Sequence, residues 1–316
     1  MKFSVIIPLY NKAPYVAKAI GSVLRQTFKD FEIVVVDDGS KDDSAGVAAK
    51  AIDGYANCRL IRQENAGVSM ARNNGVALSN GKYICFLDAD DWWESTFLEE
   101  MSGLVDEFPD AGIYGSNYNI VNETRHKTRV ASVGVNEGFV KGYIDYCQVY
   151  AKTLYMPLWT GAVCIPRRVF ESVGGFNPQL KMSEDFDLWI RIVLHHKVAF
   201  MNRPLSNYNQ DVYAAPRALG SLPQPQTQFA FCADYLKEDM KKDATLKYVV
   251  EYVQISCLRD YYLSKAYHAE AKKVLDGIDL EPHKGGYYVD YLRHPLWRSR
   301  LSVAFAQFLV RMRYGK

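Results

Sequence analysis

Short apolar runs alternate with stretches of helical spacing over the first ninety residues of the chain. Four apolar runs predict strands, namely FSVIIP, FEIVVVDDGS, CRLIRQ and KYICFLDADD. Three segments between them predict helices: PYVAKAIGSVLRQ, DDSAGVAAKAI and VSMARNNGVALS. Strands that are apolar at nearly every position are typical of a parallel sheet that helices cover on both faces. We therefore expect an α/β protein with an open, mostly parallel sheet and right-handed crossovers.

The pattern changes twice further along the chain. Residues 110–205 mix strands and loops, and here SEDFDLWIRIVLHH predicts a helix that Ser183 opens as its N-cap. The segment LPQPQTQ, residues 222–228, is rich in Pro and Gln and predicts a linker. Helical patterns such as TLKYVVEYVQISCLRDYYLSK dominate beyond it. We therefore expect a first domain over residues 1–220 and a helical C-terminal extension over residues 221–316.

Composition indicates a folded globular protein, because 48% of the 316 residues are apolar and 13% are aromatic. The net charge is only +2, so the chain as a whole does not indicate a nucleic-acid partner.

The end of the chain is basic, because residues 284–316 contain seven Lys/Arg against one acid. Apolar residues from Trp297 onwards recur there at helical spacing, which predicts a basic amphipathic tail over residues 293–316. Such a helix either lies on an anionic membrane or packs on the catalytic domain or on the second subunit of a homodimer.

The six cysteines are scattered and form no CxxC pair, which favours a reduced, cytoplasmic compartment. The N-terminal segment MKFSVIIPLYN is interrupted by Pro8 and predicts a strand rather than a secretory signal. No apolar run approaches the ~20 residues that a membrane helix needs. The sequence therefore predicts a cytoplasmic protein whose only membrane contact is peripheral, on the inner face of the cell membrane.

Polar residues follow each of the four N-terminal strands. In open α/β sheets ligands bind beyond the carboxyl ends of the strands, so we expect these residues to converge on one rim. They are Pro8, Tyr10 and Asn11 after the first strand, Asp37, Asp38, Gly39 and Ser40 after the second, Asn65 and Gly67 after the third, and Asp88, Asp90 and Asp91 after the fourth.

The three acids after the fourth strand predict a site for a divalent cation. Carboxylates repel one another unless a cation lies between them, and Mn²⁺ and Mg²⁺ prefer oxygen ligands. Trp92 and Trp93 stand where an EF-hand has a third ligand and a Gly, which argues against an EF-hand. The alternative is a solvated turn whose Asp residues cap the next helix. The acidic pair Asp37 and Asp38 on the same predicted rim favours the cation site.

The segment ENAGVSMARNNG predicts a glycine-containing loop that leads into a helix. The N-terminus of such a helix suits a diphosphate, and Arg72 could add a charge-assisted hydrogen bond. The motifs GxGxxG and GxxxxGK[ST] are absent from the chain. This absence argues against a dinucleotide oxidoreductase and against a P-loop NTPase.

Six motifs in this order resemble the inverting family 2 glycosyltransferases of the non-processive bacterial type. They are VIIPLYN, VVVDDGSKDDS, NAGVSMARNNG, YICFLDADD, GGF and SEDFDLWIR, and they cover residues 1–210. The resemblance implies the A-type glycosyltransferase fold, with a nucleotide-binding half over residues 1–110 and an acceptor-binding half over residues 111–220. Processive members carry a QxxRW motif and membrane spans. Here DLWIRIV follows the acidic pair, which favours transfer of a single sugar.

The resemblance also implies roles for individual residues. Asp185 would be the catalytic base, Glu184 would be its neighbour in the acceptor site, and Asp88 and Asp90 would bind Mn²⁺ or Mg²⁺. Apart from the resemblance, Trp159 is assigned to the acceptor site because aromatic rings suit the apolar faces of sugars. Tyr10 would stack on the base of the nucleotide, and Asp37 would bond the edge of a uracil. The nucleotide-binding residues that the resemblance implies are Pro8, Tyr10, Asp37, Arg72 and Asp88. Asn11, Asp38 and Gly67 are added because they follow strands that end at the same rim.

The implied reaction is metal-assisted, inverting transfer of a hexosyl or N-acetylhexosaminyl group from a UDP-sugar. The acceptor is a hydroxyl of a glycan or a lipid-linked acceptor in surface polysaccharide synthesis. A sugar-nucleotide pyrophosphorylase is the alternative enzyme, but PLYNKAPY lacks its Gly-rich, cationic loop. The third hypothesis is a catalytically inactive sugar- or nucleotide-binding protein. The presence of Asp88, Asp90 and Asp185 argues against it. His195 and His196 could supply a further metal ligand, although His at the end of a helix is ordinarily a surface residue.

Overall fold

The computed structural model describes residues 1–213 and 222–294. The chain divides into two compact units, Met1–Ala218 and Leu219–Lys316. Most of the predicted basic tail, from residue 295 onwards, lies outside the described residues. None of the helices in the described ranges is long and apolar enough to cross a membrane.

The elements of the first unit follow the predicted alternation. Its described strands are β1 Phe3–Leu9, β2 Phe31–Asp37, β3 Cys58–Arg62, β4 Tyr83–Phe86, β5 Trp92–Trp93, β6 Ala111–Asn122, β7 Lys127–Val130, β8 Lys141–Ile144, β9 Val163–Pro166 and β10 Lys197–Asn209. Its described α-helices are α1 Val16–Leu24, α2 Ser44–Ile52, α3 Val68–Ala77, α4 Phe97–Glu107, α5 Tyr146–Thr153, α6 Arg167–Ser172 and α7 Glu184–Val193. Short 3-10 helices lie at Thr160–Ala162 and Gln210–Tyr213.

The described part of the second unit is helical, as predicted. Its α-helices are α8 Phe229–Cys232, α9 Lys237–Lys242, α10 Ala244–Leu263 and α11 His268–Leu275, with 3-10 helices at Pro225–Thr227, Ala233–Leu236, Glu281–His283 and Tyr287–Leu292. The linker prediction for residues 222–228 is wrong. Gln228 is buried, and the Tyr261 hydroxyl donates a 2.8 Å hydrogen bond to the carbonyl oxygen of Pro223, so this segment packs within the unit.

The strands form one sheet in the order β3-β2-β1-β4-β9-β6-β10-β5, with β7 paired to β6 and β8 paired to β10. The first four strands of this order are mutually parallel. Strand β9 is antiparallel to both β4 and β6, and β10 is parallel to β6. Strands β1, β4, β6 and β10 therefore all end at the same edge of the sheet. The predicted α/β fold is confirmed, and its four N-terminal strands are parallel as expected, whereas the described sheet as a whole is mixed.

Helices cover both faces of the sheet because the strands are apolar on both faces. Val5 and Ile7 of β1 belong to the core that α1 and α4 cover. Ile6 points to the opposite face, where α3 packs. A Cβ on Gly75 of α3 would lie 2.4 Å from Cγ2 of Ile6, so only glycine lets this helix approach the sheet so closely. The close packing of α3 positions the residues of its first turns at the carboxyl edge of the sheet.

Candidate active site

The carboxyl edge of the sheet borders a cleft of about 790 Å³ within the first unit. Loops after β1, β2, β3 and β4 form one side, and the start of α7 together with residues near β9 and β10 forms the other. The lining side chains that bear on its chemistry are those of Pro8, Tyr10, Lys12, Asp38, Arg72, Asp88, Asp90, Trp159, Thr160, Lys181, Glu184, Asp185 and Tyr208, and Gly67 lines it too. Five residues predicted for this rim do not line the cleft, namely Asn11, Asp37, Gly39, Ser40 and Asp91. The structure brings the other predicted site residues together in it.

Asn11 and Asp37 do not line this cleft. Asn11 has a left-handed backbone with a φ of 52°, and its side-chain oxygen accepts a 2.8 Å hydrogen bond from the N–H of Lys41. Asp37 accepts a 3.1 Å hydrogen bond from the N–H of Ser40 and lies 3.7 Å from Nε of Arg62. In this structure both residues hold the loop between β2 and α2 in place.

Asp38 lines the cleft and clamps the loop that leads into α3. Its carboxylate accepts hydrogen bonds from the N–H of Ala66 at 2.8 Å, the N–H of Gly67 at 2.9 Å and the Gln63 side chain at 2.8 Å. Gly67 has a φ of +91°, a conformation that favours glycine. Asp38 therefore fixes the backbone at the N-terminus of α3, beside the cleft.

The three acids after β4 differ in position: Asp88 and Asp90 line the cleft, whereas Asp91 does not. Asp88 accepts a 2.8 Å hydrogen bond from Arg72, and Asp90 accepts a 2.6 Å hydrogen bond from Nζ of Lys12. Both carboxylates line the cleft. Burial, and after it the charge of Asp88, raises the pKa of Asp90 even though Lys12 opposes the shift. This pair is the part of the triplet that a cation would stabilise.

Asp91 has a structural role instead. Its buried carboxylate accepts a 2.8 Å hydrogen bond from the N–H of Asn209, at the end of β10, and a 3.4 Å hydrogen bond from the indole N–H of Trp159. Burial, followed by the charges of Asp88 and Asp90, raises the pKa of Asp91 well above its usual range. The expectation that all three acids face a metal is therefore wrong for Asp91, which holds one wall of the cleft.

The residues present fit a metal ion that is completed by its substrate. No group of three or more His, Cys, Asp or Glu residues is positioned to hold a metal anywhere in residues 1–213 and 222–294. Mg²⁺ and Mn²⁺, however, commonly use one or two carboxylates and take further ligands from phosphates and water. Asp88 and Asp90 supply that donor set. His195 and His196 follow the C-terminal end of α7, while Asp185 lies at its start, and neither histidine lines the cleft.

Arg72 joins the two sides of the cleft from a buried position. Its guanidinium donates to Asp88 of the β4 loop at 2.8 Å and to Glu184 of α7 at 3.0 Å. Burial by itself would lower the pKa of Arg72, but the charges of Asp88 and Glu184 more than offset it and the pKa is raised. Arg72 is therefore a permanent cation that ties the acidic pair to the start of α7.

Asp185 lies in the first turn of α7 and faces the cleft. Its carboxylate accepts hydrogen bonds from the N–H of Phe186 at 2.7 Å and from the Thr160 hydroxyl at 3.3 Å. Burial, followed by the charge of Glu184, raises the pKa of Asp185 to about 6, outweighing the bonds from Phe186 and Thr160 and the charge of Arg72. Its position at a helix start predicts a lowered pKa, so that expectation is wrong. A carboxylate with this pKa is ionised at neutral pH and accepts a proton more readily than an ordinary Asp.

Ser183 does not cap α7 as predicted. Its backbone is left-handed, with a φ of 58°, and its side chain makes no capping hydrogen bond. The acids that follow it supply the negative charge favoured at a helix N-terminus. The left-handed turn at Ser183 leads directly into Glu184 and Asp185.

Aromatic rings form the wall beside Asp185. The ring centroid of Trp159 lies 4.4 Å from that of Tyr208 and 5.5 Å from that of Tyr118. Sequence reasoning identified Trp159 but missed Tyr208, which lies on β10, and Lys12, which follows β1. Lys12 could have been found, because it belongs to the same loop as Tyr10. Tyr208 had no local signal, because a Tyr in a strand is ordinary.

The sheet order and the cleft define the class of protein: an α/β protein with the A-type glycosyltransferase fold. The TarS protein of Staphylococcus aureus, residues 1–349 in complex with UDP, aligns with a TM-score of 0.59 at 18% identity, over 92% of this chain and 74% of that chain. The same protein in complex with UDP-GlcNAc aligns with a TM-score of 0.59 over 87% of this chain and 70% of that chain. At this identity the likeness shows the fold.

The sequence matches identify the family. The family model described as glycosyl transferase family 2 matches residues 4–173, more than half of the chain, and the chain belongs to this family. The glycosyltransferase GlyA of Streptococcus pneumoniae is 40% identical over 123 residues, which are 39% of this chain and 18% of GlyA. An uncharacterised glycosyltransferase of Rickettsia prowazekii is 28% identical over 242 residues, which are 76% of this chain and 73% of that protein. The match to GlyA thus spans less than a fifth of its length.

Proposed function

We propose that this protein is an inverting glycosyltransferase that moves one sugar from a UDP-sugar to a hydroxyl of a glycan or lipid-linked acceptor. The observation that carries the proposal is that Asp185 and the pair Asp88 and Asp90 open into one cleft, in which Arg72 bonds both Asp88 and the neighbour of Asp185, Glu184. A carboxylate base on one side and a metal-binding pair on the other are what a single displacement at an anomeric carbon requires.

The nucleotide-binding half and the acceptor half contribute different steps of the reaction. Residues 1–110 bind the nucleotide: Tyr10, which is 41% exposed at the rim, offers a ring to the base, and Asp38 holds the loop before α3. Asp88 and Asp90 would hold Mn²⁺ or Mg²⁺. When bound with the donor, the metal would stabilise the negative charge of the leaving diphosphate as a Lewis acid.

Residues 111–220 form the acceptor half, and within it Asp185 performs the proton transfer. The acceptor hydroxyl approaches on the Asp185 side, and the carboxylate takes its proton as the oxygen attacks the anomeric carbon. The Thr160 hydroxyl and the N–H of Phe186 orient that carboxylate. One base is sufficient because a single displacement inverts the anomeric centre.

The setting that we propose for this activity is surface polysaccharide synthesis in the cytoplasm, at the inner face of the membrane. The predicted basic helix within residues 293–316 would make the membrane contact. Transfer of one hexosyl or N-acetylhexosaminyl group at a time follows from the resemblance to non-processive members. The complexes of TarS with UDP and with UDP-GlcNAc support the choice of UDP as the donor nucleotide.

A nucleotide screen tests the donor directly. We expect UDP with Mn²⁺ to raise the melting temperature more than GDP or dTDP with Mn²⁺, and more than UDP alone. Binding to the native state alone stabilises it by about 2.7 kcal/mol when the ligand is present at 100 times its Kd. A melting temperature that no nucleotide changes, with or without Mn²⁺, would contradict the proposal.

The pKa of Asp185 predicts how kcat decreases at acidic pH. With a pKa of about 6, the carboxylate is about 90% ionised at pH 7 and about 10% ionised at pH 5. We expect kcat, measured at saturating donor and metal, to fall about tenfold per pH unit below 6, because the protonated form cannot accept a proton. Binding of UDP and Mn²⁺ at each pH is the control that separates this effect from protonation of Asp90. A kcat that stays constant from pH 7 to pH 5 would contradict the role of Asp185 as the base.

A further inference from the structure

The hairpin between β6 and β7 carries three exposed cations, Arg125, Lys127 and Arg129. None of them pairs with an acid among the described residues of the chain. The acid within the hairpin, Glu123, is 2.6 Å from Nζ of Lys18 and is therefore already neutralised. The hairpin thus has a net positive charge: its three cations face one nearby acid, Asp211, whose carboxylate accepts a 3.0 Å hydrogen bond from the N–H of Thr124. Residues 1–213 as a whole contain 22 Lys/Arg against 25 Asp/Glu. We refer to Arg125, Lys127 and Arg129 as the basic hairpin.

The basic hairpin projects from the edge of the sheet that borders the cleft. Strand β6 runs in the same direction as β1 and β4, so its carboxyl end, where the hairpin begins, lies at that edge. Arg129 pairs with Ile120 of β6, and Ile120 pairs with Tyr208 of β10. Directly paired residues share one face of a sheet, so Arg129 lies on the face of Tyr208. Two strand spacings, about 10 Å, separate these two residues.

Arg129 is held in place against the wall of the cleft. Its guanidinium lies 5.4 Å from the ring centroid of Tyr155 and donates a hydrogen bond to the Tyr155 hydroxyl. Tyr155 packs in the same apolar cluster as Tyr118 and Trp159, and Trp159 lines the cleft. A cation that packing orients loses less side-chain entropy on binding an anion than a freely rotating one.

The donor diphosphate does not account for the basic hairpin. The cations that line the cleft itself are Lys12, Arg72 and Lys181, whereas none of the three hairpin cations lines it. A ligand bound in the cleft would therefore reach the hairpin only with a part that extends out of the cleft. In the proposed reaction the acceptor is the substrate that leaves the cleft on the Asp185 side.

We propose that the basic hairpin binds a phosphate-bearing part of the acceptor while the acceptor's reacting hydroxyl lies at Asp185. This inference rests on the proposed function. Guanidinium groups match the geometry of phosphate oxygens, and alternate residues of a strand, such as Lys127 and Arg129, are about 7 Å apart. That spacing suits a diphosphate or successive phosphodiesters. The phosphate can belong to a lipid-linked diphosphate or to the glycan chain, and the two sources share this chemistry.

The experiment compares two triple variants with matched charge loss. Arg125→Gln, Lys127→Gln and Arg129→Gln together remove the basic hairpin. Lys29→Gln, Lys50→Gln and Lys82→Gln together remove three exposed cations that form no salt bridge among the described residues. Lys29 and Lys82 precede β2 and β4, and Lys50 lies in the last turn of α2, so the control charges lie at the opposite edge of the sheet.

Binding is measured in the presence of UDP and Mn²⁺ with four probes: farnesyl diphosphate and farnesol in detergent micelles, a glycerol phosphate oligomer, and a neutral oligosaccharide. We expect the wild type to bind at least one phosphate probe more tightly than its neutral counterpart, with an affinity that falls as salt is added. The hairpin variant should lose about tenfold or more, because each exposed ion pair contributes roughly two- to fivefold. The control variant should bind as the wild type does. The phosphate probe that binds identifies the source.

Three results would overturn the assignment: equal losses in both variants, no loss in the hairpin variant, or no preference of the wild type for phosphate while UDP and Mn²⁺ bind. Unchanged binding of UDP and Mn²⁺ to the hairpin variant shows that the variant is folded. Failure of the wild type to bind UDP with Mn²⁺ would instead overturn the proposed function, and the acceptor assignment with it.

Discussion

Asp185→Asn is expected to lower kcat by roughly 10²–10⁴-fold, the usual contribution of a positioned general base. The amide keeps the size and shape of the side chain and can still accept a hydrogen bond from the Thr160 hydroxyl, as Asp185 does. It cannot accept a proton at neutral pH. The loss should therefore appear in kcat, whereas the affinity for UDP and Mn²⁺ should change little, because Asp88 and Asp90 remain in place. Both quantities are measured on the same variant.

A matched substitution controls for the charge at a helix start. Asp145 precedes α5, and its side chain accepts a hydrogen bond from the N–H of Gln148 at 2.9 Å. Asn is an equally good N-cap, so Asp145→Asn should leave both stability and kcat close to those of the wild type. If Asp185→Asn behaves in the same way as this control, Asp185 only stabilises its helix and another group is the base.

Asp90→Ala is expected to abolish the Mn²⁺-dependent part of UDP binding while the protein stays folded. Asp90 is one of the two acids of the β4 loop that line the cleft, and its nearest partner is Nζ of Lys12 at 2.6 Å. Removing the carboxylate leaves one acid for the metal and an extra positive charge beside it. The metal should then bind weakly, and the nucleotide should lose the contact that the metal supplies. Calorimetry with UDP, with and without Mn²⁺, measures the difference.

The expected pattern is specific to the metal. UDP binding in the absence of Mn²⁺ should be similar in Asp90→Ala and in the wild type, and the melting temperature of the free protein should fall little. Asp53→Ala, at an exposed position after α2, removes an Asp outside the cleft and should leave Mn²⁺-dependent binding unchanged. A full Mn²⁺ effect in Asp90→Ala would show that Asp90 is not a metal ligand.

The hydrophobic pattern was sufficient to predict most of the elements of the nucleotide-binding half. Every residue of β1 and β2 is buried, and their sequences are apolar at almost every position. The helices α1, α2 and α3 begin and end within a few residues of the predicted segments. Local sequence succeeds here because a strand covered on both faces must be continuously apolar and the covering helices must be amphipathic.

The sequence pattern gave wrong predictions where contacts with distant parts of the chain determine the local conformation. Residues 222–228 have the composition of a linker, yet contacts with α10 through Tyr261 hold them. Ser183 has the residue type of an N-cap, yet its backbone is left-handed and its side chain does not cap α7. Composition limits the conformations that a segment can adopt, and packing against neighbouring elements determines which conformation forms.

The sequence by itself determined which residue types stand at the carboxyl edge of the sheet. Parallel strands end on one side, so Tyr10, Asp38, Asp88 and Asp90 had to lie near one another once the strands were recognised. It could not determine which member of an adjacent pair faces the cleft. Neighbouring residues at the end of a strand point in different directions, and only the tertiary structure shows that Asp38 lines the cleft while Asp37 does not.

The tertiary structure alone decided the electrostatics of the site. Arg72 and Glu184 are far apart in the sequence, and their contact exists only because α3 and α7 meet at the cleft. The position of Asp185 at a helix start predicts a lowered pKa, whereas burial beside Glu184 raises it to about 6. Desolvation and the charges of distant residues depend on the whole packed chain. The sequence therefore specifies the chemical groups of this site, and the fold sets their protonation.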